Sequence, residues 1–229
     1  MEFEWLISDL GKENLRYNMK NKDAKVVKDF KLVAVYGSPR RGGNTDTLLN
    51  RFLEGVSSCN LVDQDSAKIE KIFVSNLEIS SCRGCGSCSK TGECIIQDEM
   101  QALYAKLIDC DFLAVAGPIF FTTVSGYLKA FIDRFQRFWA LKYELKRKII
   151  VKENRKGILI STAGSTHKDI FDCTKKVMRA LFDVLYIEYL CDFLFNNTDQ
   201  KGDILKNQEA IEEIYDFGKK GLFLERSDD

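Results

Sequence analysis

Leu32-Val33-Ala34-Val35-Tyr36 runs directly into Gly37-Ser38-Pro39-Arg40-Arg41-Gly42-Gly43-Asn44-Thr45, and then into Leu48, Leu49, Phe52, Leu53 and Val56 at helical spacing. Five consecutive apolar residues fit a strand buried on both faces, as in a parallel sheet covered by helices. The stretch therefore reads strand, tight polar loop, helix. Such a junction seats anions, because the first N–H groups of a helix have no partner within it. The helix-end charge alone contributes only about 0.3–2 kcal/mol, so a phosphate needs further donors. Ser38, Arg40, Asn44 and Thr45 offer them at short range. Pro39 stiffens the loop, and Gly42 and Gly43 let a ligand approach the backbone. Gly37-x4-Gly42 is followed by Gly43-Asn44 rather than by Lys-Ser or Lys-Thr, so the Walker pattern fails, and G-x-G-x-x-G is absent. The plain alternative is a glycine-rich turn capped by Asn44 or Thr45.

Outward from this stretch the pattern repeats. Lys68–Val74 reads as a second strand, followed by a helix from Asp98 to Ile108. Phe112–Ala116 is a third buried strand ending at Gly117-Pro118. A helix from Ser125 to Leu141 carries Leu128, Phe131, Ile132 and Phe135 on one face. Gly157–Ser161 is a fourth strand, and a helix over 168–183, a strand over 185–194 and a helix over 207–222 complete the chain. Strand–helix alternation five times over predicts a doubly wound α/β sheet. Right-handed crossovers place the carboxyl ends of its strands along one edge, where such sheets bind ligands. Residues 1–30 read differently: Trp5, Leu6, Ile7, Leu10 and Leu15 suggest a helical extension, leaving 31–229 as the main domain.

Composition narrows the function. A chain of 229 residues with 45% hydrophobic and 30% charged residues suits one substantial domain rather than two. Its 34 basic and 34 acidic residues balance, which gives no argument for a nucleic-acid partner. No apolar stretch reaches membrane-spanning length, and Glu2, Glu4 and Asp9 stand where a signal peptide is basic and then apolar. The expected address is cytoplasmic, away from membranes. In that compartment clustered cysteines read as ligands or redox thiols rather than structural disulfides.

Four of the eight cysteines fall in Cys82-Arg83-Gly84-Cys85-Gly86-Ser87-Cys88-Ser89-Lys90-Thr91-Gly92-Glu93-Cys94, spaced C-x2-C-x2-C-x5-C. Short gaps let thiolates converge, and Gly84, Gly86 and Gly92 permit the tight backbone this needs. The spacing suits a 4Fe–4S cluster; tetrahedral zinc, redox-active thiols and unligated cysteines are the alternatives. Cys59, Cys110, Cys173 and Cys191 read as small core residues. His167, the single histidine, reads as a surface or helix-start residue rather than a catalytic acid. After the third strand, Phe120 and Phe121 put two aromatic rings where a loop meets solvent. Either both are core anchors or something planar covers one of them. The Ser161–Ser165 loop adds small residues and backbone donors at the same edge.

Together these pieces resemble the NAD(P)H-dependent FMN reductase-like flavoproteins of the flavodoxin-like fold, and within them the iron–sulfur flavoproteins. The resemblance rests on Gly37–Thr45, on the cysteine stretch with Asp98-Glu99-Met100, and on Gly117–Phe121 through Leu128-Lys129-Ala130-Phe131-Ile132-Asp133-Arg134, and spans roughly residues 31–220. It implies a five-stranded parallel sheet of order 2-1-3-4-5. It also implies FMN bound through Ser38, Arg40, Asn44 and Thr45 at the phosphate. Pro118, Ile119, Phe120 and Phe121 would border the ring, with Ser161, Thr162 and Gly164 on its other side. The family's usual tyrosine in the third-strand loop is phenylalanine here, which keeps stacking and removes a hydroxyl. Cys82, Cys85, Cys88 and Cys94 map onto the ligands of a 4Fe–4S cluster, and the resemblance further implies a homodimer or homotetramer. The expected activity is electron transfer from NAD(P)H or a ferredoxin-like donor through FMN to a small-molecule acceptor, with no catalytic acid or base demanded of the protein. The rival readings are a flavodoxin-like carrier between partner proteins, set against the neutral charge and the cysteine loop, and a cluster-free NAD(P)H:quinone or FMN reductase.

Overall fold

The computed structural model describes residues 17–18, 26–223 and 225–226. The helical extension expected over 1–30 falls largely outside them; of that segment, Tyr17–Asn18 pairs antiparallel with Glu225–Arg226.

The apolar runs form the central strands. β1 (Lys31–Tyr36), β2 (Lys68–Phe73), β3 (Phe112–Phe120), β4 (Lys156–Thr162) and β5 (Glu188–Phe195) lie in the order β2-β1-β3-β4-β5, all parallel. Strand alternation splits the core in two. Leu32, Ala34 and Tyr36 face α1 (Asn44–Ser57) and a later helix, Gln208–Lys220; Val33 and Val35 face the opposite layer. That layer holds α3 (Met100–Asp109), α4 (Gly126–Asp133), α5 (Gln136–Trp139) and α6 (Asp172–Val184), with the short α2 (Ser87–Thr91) outside it. The helix Gln208–Lys220 is α7.

Two expectations shift. The helix expected over 125–141 is divided: α4 ends at Asp133, and α5 runs into a π turn at Ala140–Glu144. β3 does not stop at Gly117-Pro118 but continues to Phe120, where a two-residue strand, Thr123–Val124, folds back on it as a sixth strand. Pro118 is tolerated because β1 has already ended, so one side of β3 is free of a ladder there.

Two contacts fix the layers. Arg155 is buried at the end of the sheet away from the strand carboxyl ends. Its Nε donates to the Cys110 carbonyl at 2.8 Å, and its terminal nitrogens donate to the carbonyls of Leu107 and Leu185. Those carbonyls end α3 and α6, whose dipoles supply partial negative charge to the guanidinium. On the other face α1 and α7 cross backbone to backbone. A Cβ on Gly55 would lie 2.1 Å from the Tyr215 carbonyl oxygen, and one on Gly218 would lie 2.2 Å from that of Phe52. Gly55→Ala forces these helices apart and is expected to destabilise the fold by about 3 kcal/mol. A urea-unfolding midpoint equal to that of the parent chain would contradict this close approach.

Candidate functional site

Four loops from the carboxyl ends of the strands meet around the start of α1. Gly37 follows β1 and donates its N–H to the Ala116 carbonyl at 2.6 Å. Its own carbonyl accepts the Ser125 hydroxyl at 2.6 Å, and Ser125 Oγ also accepts the Leu128 N–H at 3.2 Å. Ser125 thus caps α4 and ties it to the glycine loop. A side chain at Gly37 has no room, since its Cβ would stand 2.5 Å from Leu128 Cδ2. Ser38 is buried and accepts the Arg40 N–H at 3.1 Å; Gly43 N donates to the Arg40 carbonyl at 3.1 Å. Gly43 precedes α1, and no side chain caps that helix. Its first N–H groups therefore open toward the loop, as an anion requires.

The sequence-expected donors divide. Ser38 and Thr45 are buried inside the loop and Arg40 is exposed at its rim. Asn44 begins α1, but its side-chain amide turns away. Nδ2 donates to the Gln200 carbonyl at 2.8 Å, and Oδ1 accepts the N–H groups of Gly202 at 2.9 Å and Ile204 at 3.4 Å. This brings in the loop after β5, which the sequence reading missed, and with it Lys201. The Lys201 ammonium donates to the Arg41 carbonyl at 3.1 Å. Asp46 in the first turn accepts the Gly42 N–H at 2.8 Å. Burial pushes its carboxyl up despite that bond and the nearby charges of Arg41 and Lys201. The Arg41 guanidinium lies 3.3 Å over the Phe73 ring, which packs on Tyr36. Burial drives the Tyr36 hydroxyl to about 12, so it stays neutral as donor to Asn50 Oδ1 at 2.6 Å.

Pro118 and Ile119 are half-buried on the extended β3, and the two phenylalanines beyond them differ. Phe120 is partly exposed, whereas Phe121 stands wholly in solvent at the hairpin tip. Phe121 and Thr122 hold φ of 48° and 65°, a two-residue turn of the kind that usually takes Asn and Gly. A positive φ is a strained conformation for a β-branched residue such as Thr122. Ser161 is buried and donates to the Gly117 carbonyl at 2.8 Å; Thr162 is buried beside it. Gly164 is exposed, and a Cβ there would lie 3.0 Å from Asp199, which joins this loop to the segment carrying Lys201. His167 is exposed, in keeping with a surface position.

The cysteine loop lies against the junction of α4 and α5. Gly84, Gly86 and Gly92 all have positive φ, as the tight backbone required. Cys82, Cys88 and Cys94 are half-buried, while Cys85 is exposed. Burial raises the Cys88 thiol, and its neighbours Cys82 and Cys94 raise it further; Cys88 Sγ lies 3.8 Å from the Gln136 carbonyl. Among the described residues, no three His, Cys, Asp or Glu side chains form a closed ligand set. The loop is instead gathered by Arg134. Its buried guanidinium donates to Asp98 Oδ2 at 2.6 Å, the Ser80 carbonyl at 2.9 Å, the Ile96 carbonyl at 3.3 Å and Cys94 Sγ at 3.5 Å. Burial pushes the Asp98 carboxyl up, but the Arg134 bond and the Ser80 N–H outweigh it and hold the group below its ordinary range. Of the other four cysteines, Cys59, Cys110 and Cys191 are in the core as expected. Cys173 is not: it lies exposed in the first turn of α6.

Over 158 residues the chain is 27% identical to an iron–sulfur flavoprotein of Methanosarcina thermophila, covering 69% of this chain and 74% of that one. It is 33% identical over 105 residues to an iron–sulfur flavoprotein of Archaeoglobus fulgidus, covering 46% of this chain and 45% of that protein, less than half its length. An FMN-dependent NADH-azoreductase of Bacillus anthracis, solved with FMN, superposes with a TM-score of 0.60 at 15% identity, over 82% of this chain and 97% of that one; it shares the flavodoxin-like fold. Residues 30–185, the sheet from β1 through α6 with the glycine, cysteine and hairpin loops, match the NADPH-dependent FMN reductase family, and the chain belongs to it.

Proposed function

We propose that this flavin-dependent oxidoreductase seats the FMN phosphate on Gly37–Thr45, takes electrons from NAD(P)H and passes them to a small acceptor. The observation that carries the reading is the uncapped start of α1 beneath a rim of Arg40, Arg41 and Lys201. A phosphate dianion fits that cradle in charge and in donors. Ser38, Arg40, Thr45 and the backbone of Asn44 would hold it. Pro118, Ile119, Phe120 and Phe121 would line one side of the ring system, and Ser161, Thr162 and Gly164 the other. When bound, FMN supplies the redox chemistry, accepting electrons in pairs or singly. The protein's own part is binding, orientation and exclusion of water. Ser125 fixes the glycine loop to α4, and the hairpin presents aromatic surface for a planar partner. Among the loop residues named here no proton donor is needed.

The four thiols are soft donors of the kind that hold an iron–sulfur cluster. The half-buried Cys82, Cys88 and Cys94, the exposed Cys85, and the Arg134 donor at Cys94 support a 4Fe–4S cluster there, and the two archaeal relatives are named iron–sulfur flavoproteins. A second reading, redox-active thiols in a cluster-free reductase, is favoured by the open arrangement of the four sulfurs. A ferredoxin-like donor is the alternative to NAD(P)H, and a homodimeric or homotetrameric assembly in the cytoplasm completes the proposal. No described helix is long and apolar enough to cross a membrane.

Three measurements test these statements. Purified protein should be yellow and release FMN on denaturation, and the Arg40→Ala, Asn44→Ala double variant should bind FMN at least tenfold more weakly. Unchanged FMN retention in that variant would remove the phosphate from this loop. Anaerobic purification should return iron and sulfide in equal amounts near four per chain, lost in Cys94→Ser. Zinc without iron, or neither metal, would exclude the cluster. Steady-state turnover should show oxidation of NADH or NADPH with a quinone; failure with both, beside rapid reduction by reduced ferredoxin, would make ferredoxin the donor.

A further inference from the structure

Asn44 and Lys201 are 157 residues apart, yet one holds the other in place. The Asn44 amide bonds the residues on both sides of Lys201, taking the Gln200 carbonyl on Nδ2 and the Gly202 N–H on Oδ1. The turn is closed a second time, because Gln200 N donates to Asp203 Oδ2 at 2.7 Å and Asp203 N to the Gln200 carbonyl at 3.1 Å. Gly202 at φ 89° makes that turn possible. The backbone of Lys201 is thus fixed while its side chain is exposed. Its ammonium reaches across to the Arg41 carbonyl and stands 3.5 Å from where a Cβ on Gly42 would be. Gly42 itself is bare and exposed, in the middle of the glycine loop.

A carbonyl is a weak partner for an ammonium compared with a phosphate, since charge-assisted bonds to anions are about twice as strong as neutral ones. An ammonium on a flexible stem also acts as a point charge rather than as a shaped fork. We propose that Lys201 is the residue that selects a phosphorylated flavin over an unphosphorylated one. In this scheme Asn44 is a positioning residue that delivers Lys201 to the loop, rather than a side chain that touches the phosphate. The inference rests on the reading that the flavin phosphate lies on Gly37–Thr45. It adds a selectivity element from the loop after β5, outside residues 30–185 of the family match.

The test is equilibrium binding of FMN and of riboflavin to the flavin-free full-length chain, followed by quenching of flavin fluorescence. Lys201→Met should weaken FMN on the order of tenfold and leave riboflavin unchanged, while Lys201→Arg should restore FMN binding. Asn44→Ala should show the same FMN-specific loss, and the double variant should lose no more than either single one, as expected of residues acting as a unit. Added salt should weaken FMN less in Lys201→Met than in the parent chain. Equal loss of FMN and riboflavin would reduce Lys201 to a tether for Arg41 and overturn the proposal. FMN binding unchanged in Lys201→Met but weakened in Arg40→Ala would overturn it while leaving the loop assignment standing. FMN binding unchanged in both would overturn the loop assignment with it.

Discussion

The Arg134 guanidinium, buried at the end of α4, bonds Asp98 at 2.6 Å and collects the Ser80 and Ile96 carbonyls and the Cys94 sulfur around it. A buried cation is costly unless it is paired and its donors are met. Here one loop supplies the carboxylate and the acceptors for both terminal nitrogens, which fixes how that loop lies, while Nε has no partner among the described residues. The backbone of Arg134 contributes as well, accepting the Tyr104 hydroxyl from α3 at 3.0 Å. Asp98 titrates below its ordinary range, so the stabilisation is complete above the usual carboxylate range. It is lost as acid protonates Asp98 through that lowered value.

The same helix reaches the other half of the site. Its start is the Ser125 cap bonded to Gly37, and Leu128 fills the space that the missing side chain of Gly37 leaves. α4 is eight residues, about 12 Å long. The glycine loop is therefore fastened to one end of a short rigid rod and the cysteine loop to the other. Two loops that follow different strands are thus held at a constant separation by one element. The hairpin just before α4 completes the arrangement, with its positive-φ turn raising Phe121 into solvent.

Much of this was legible in local sequence. Apolar runs at Leu32–Tyr36 and Phe112–Ala116 marked strands buried on both faces, and those residues divide between the two layers as alternation requires. The polar loop between β1 and α1 was legible as the junction of a strand and a helix, and the glycines among the cysteines announced positive φ. Other features were visible but could not be interpreted. Asp98 and Arg134 stood in the motifs that carried the family resemblance, yet nothing along the chain says that they bond each other across 36 residues. Asn44 was expected as a phosphate donor at the loop, but the direction of its amide depends on a turn 156 to 160 residues away. Cys173 had the composition of a core residue and an exposed position.

Sequence by itself determined the parallel sheet, its order of elements, the edge at which loops collect and the residue types available there. Those follow from periodicity and from the handedness of crossovers, which act within a few tens of residues. Only the tertiary structure decided which donors face the loop, that α4 joins the two loops, and that Lys201 comes to the glycine loop. Each of these depends on a contact between segments far apart in the chain, set by how the layers pack. The close crossing of α1 and α7 at Gly55 and Gly218 is such a packing decision, and the loop between β5 and α7 lies against the start of α1.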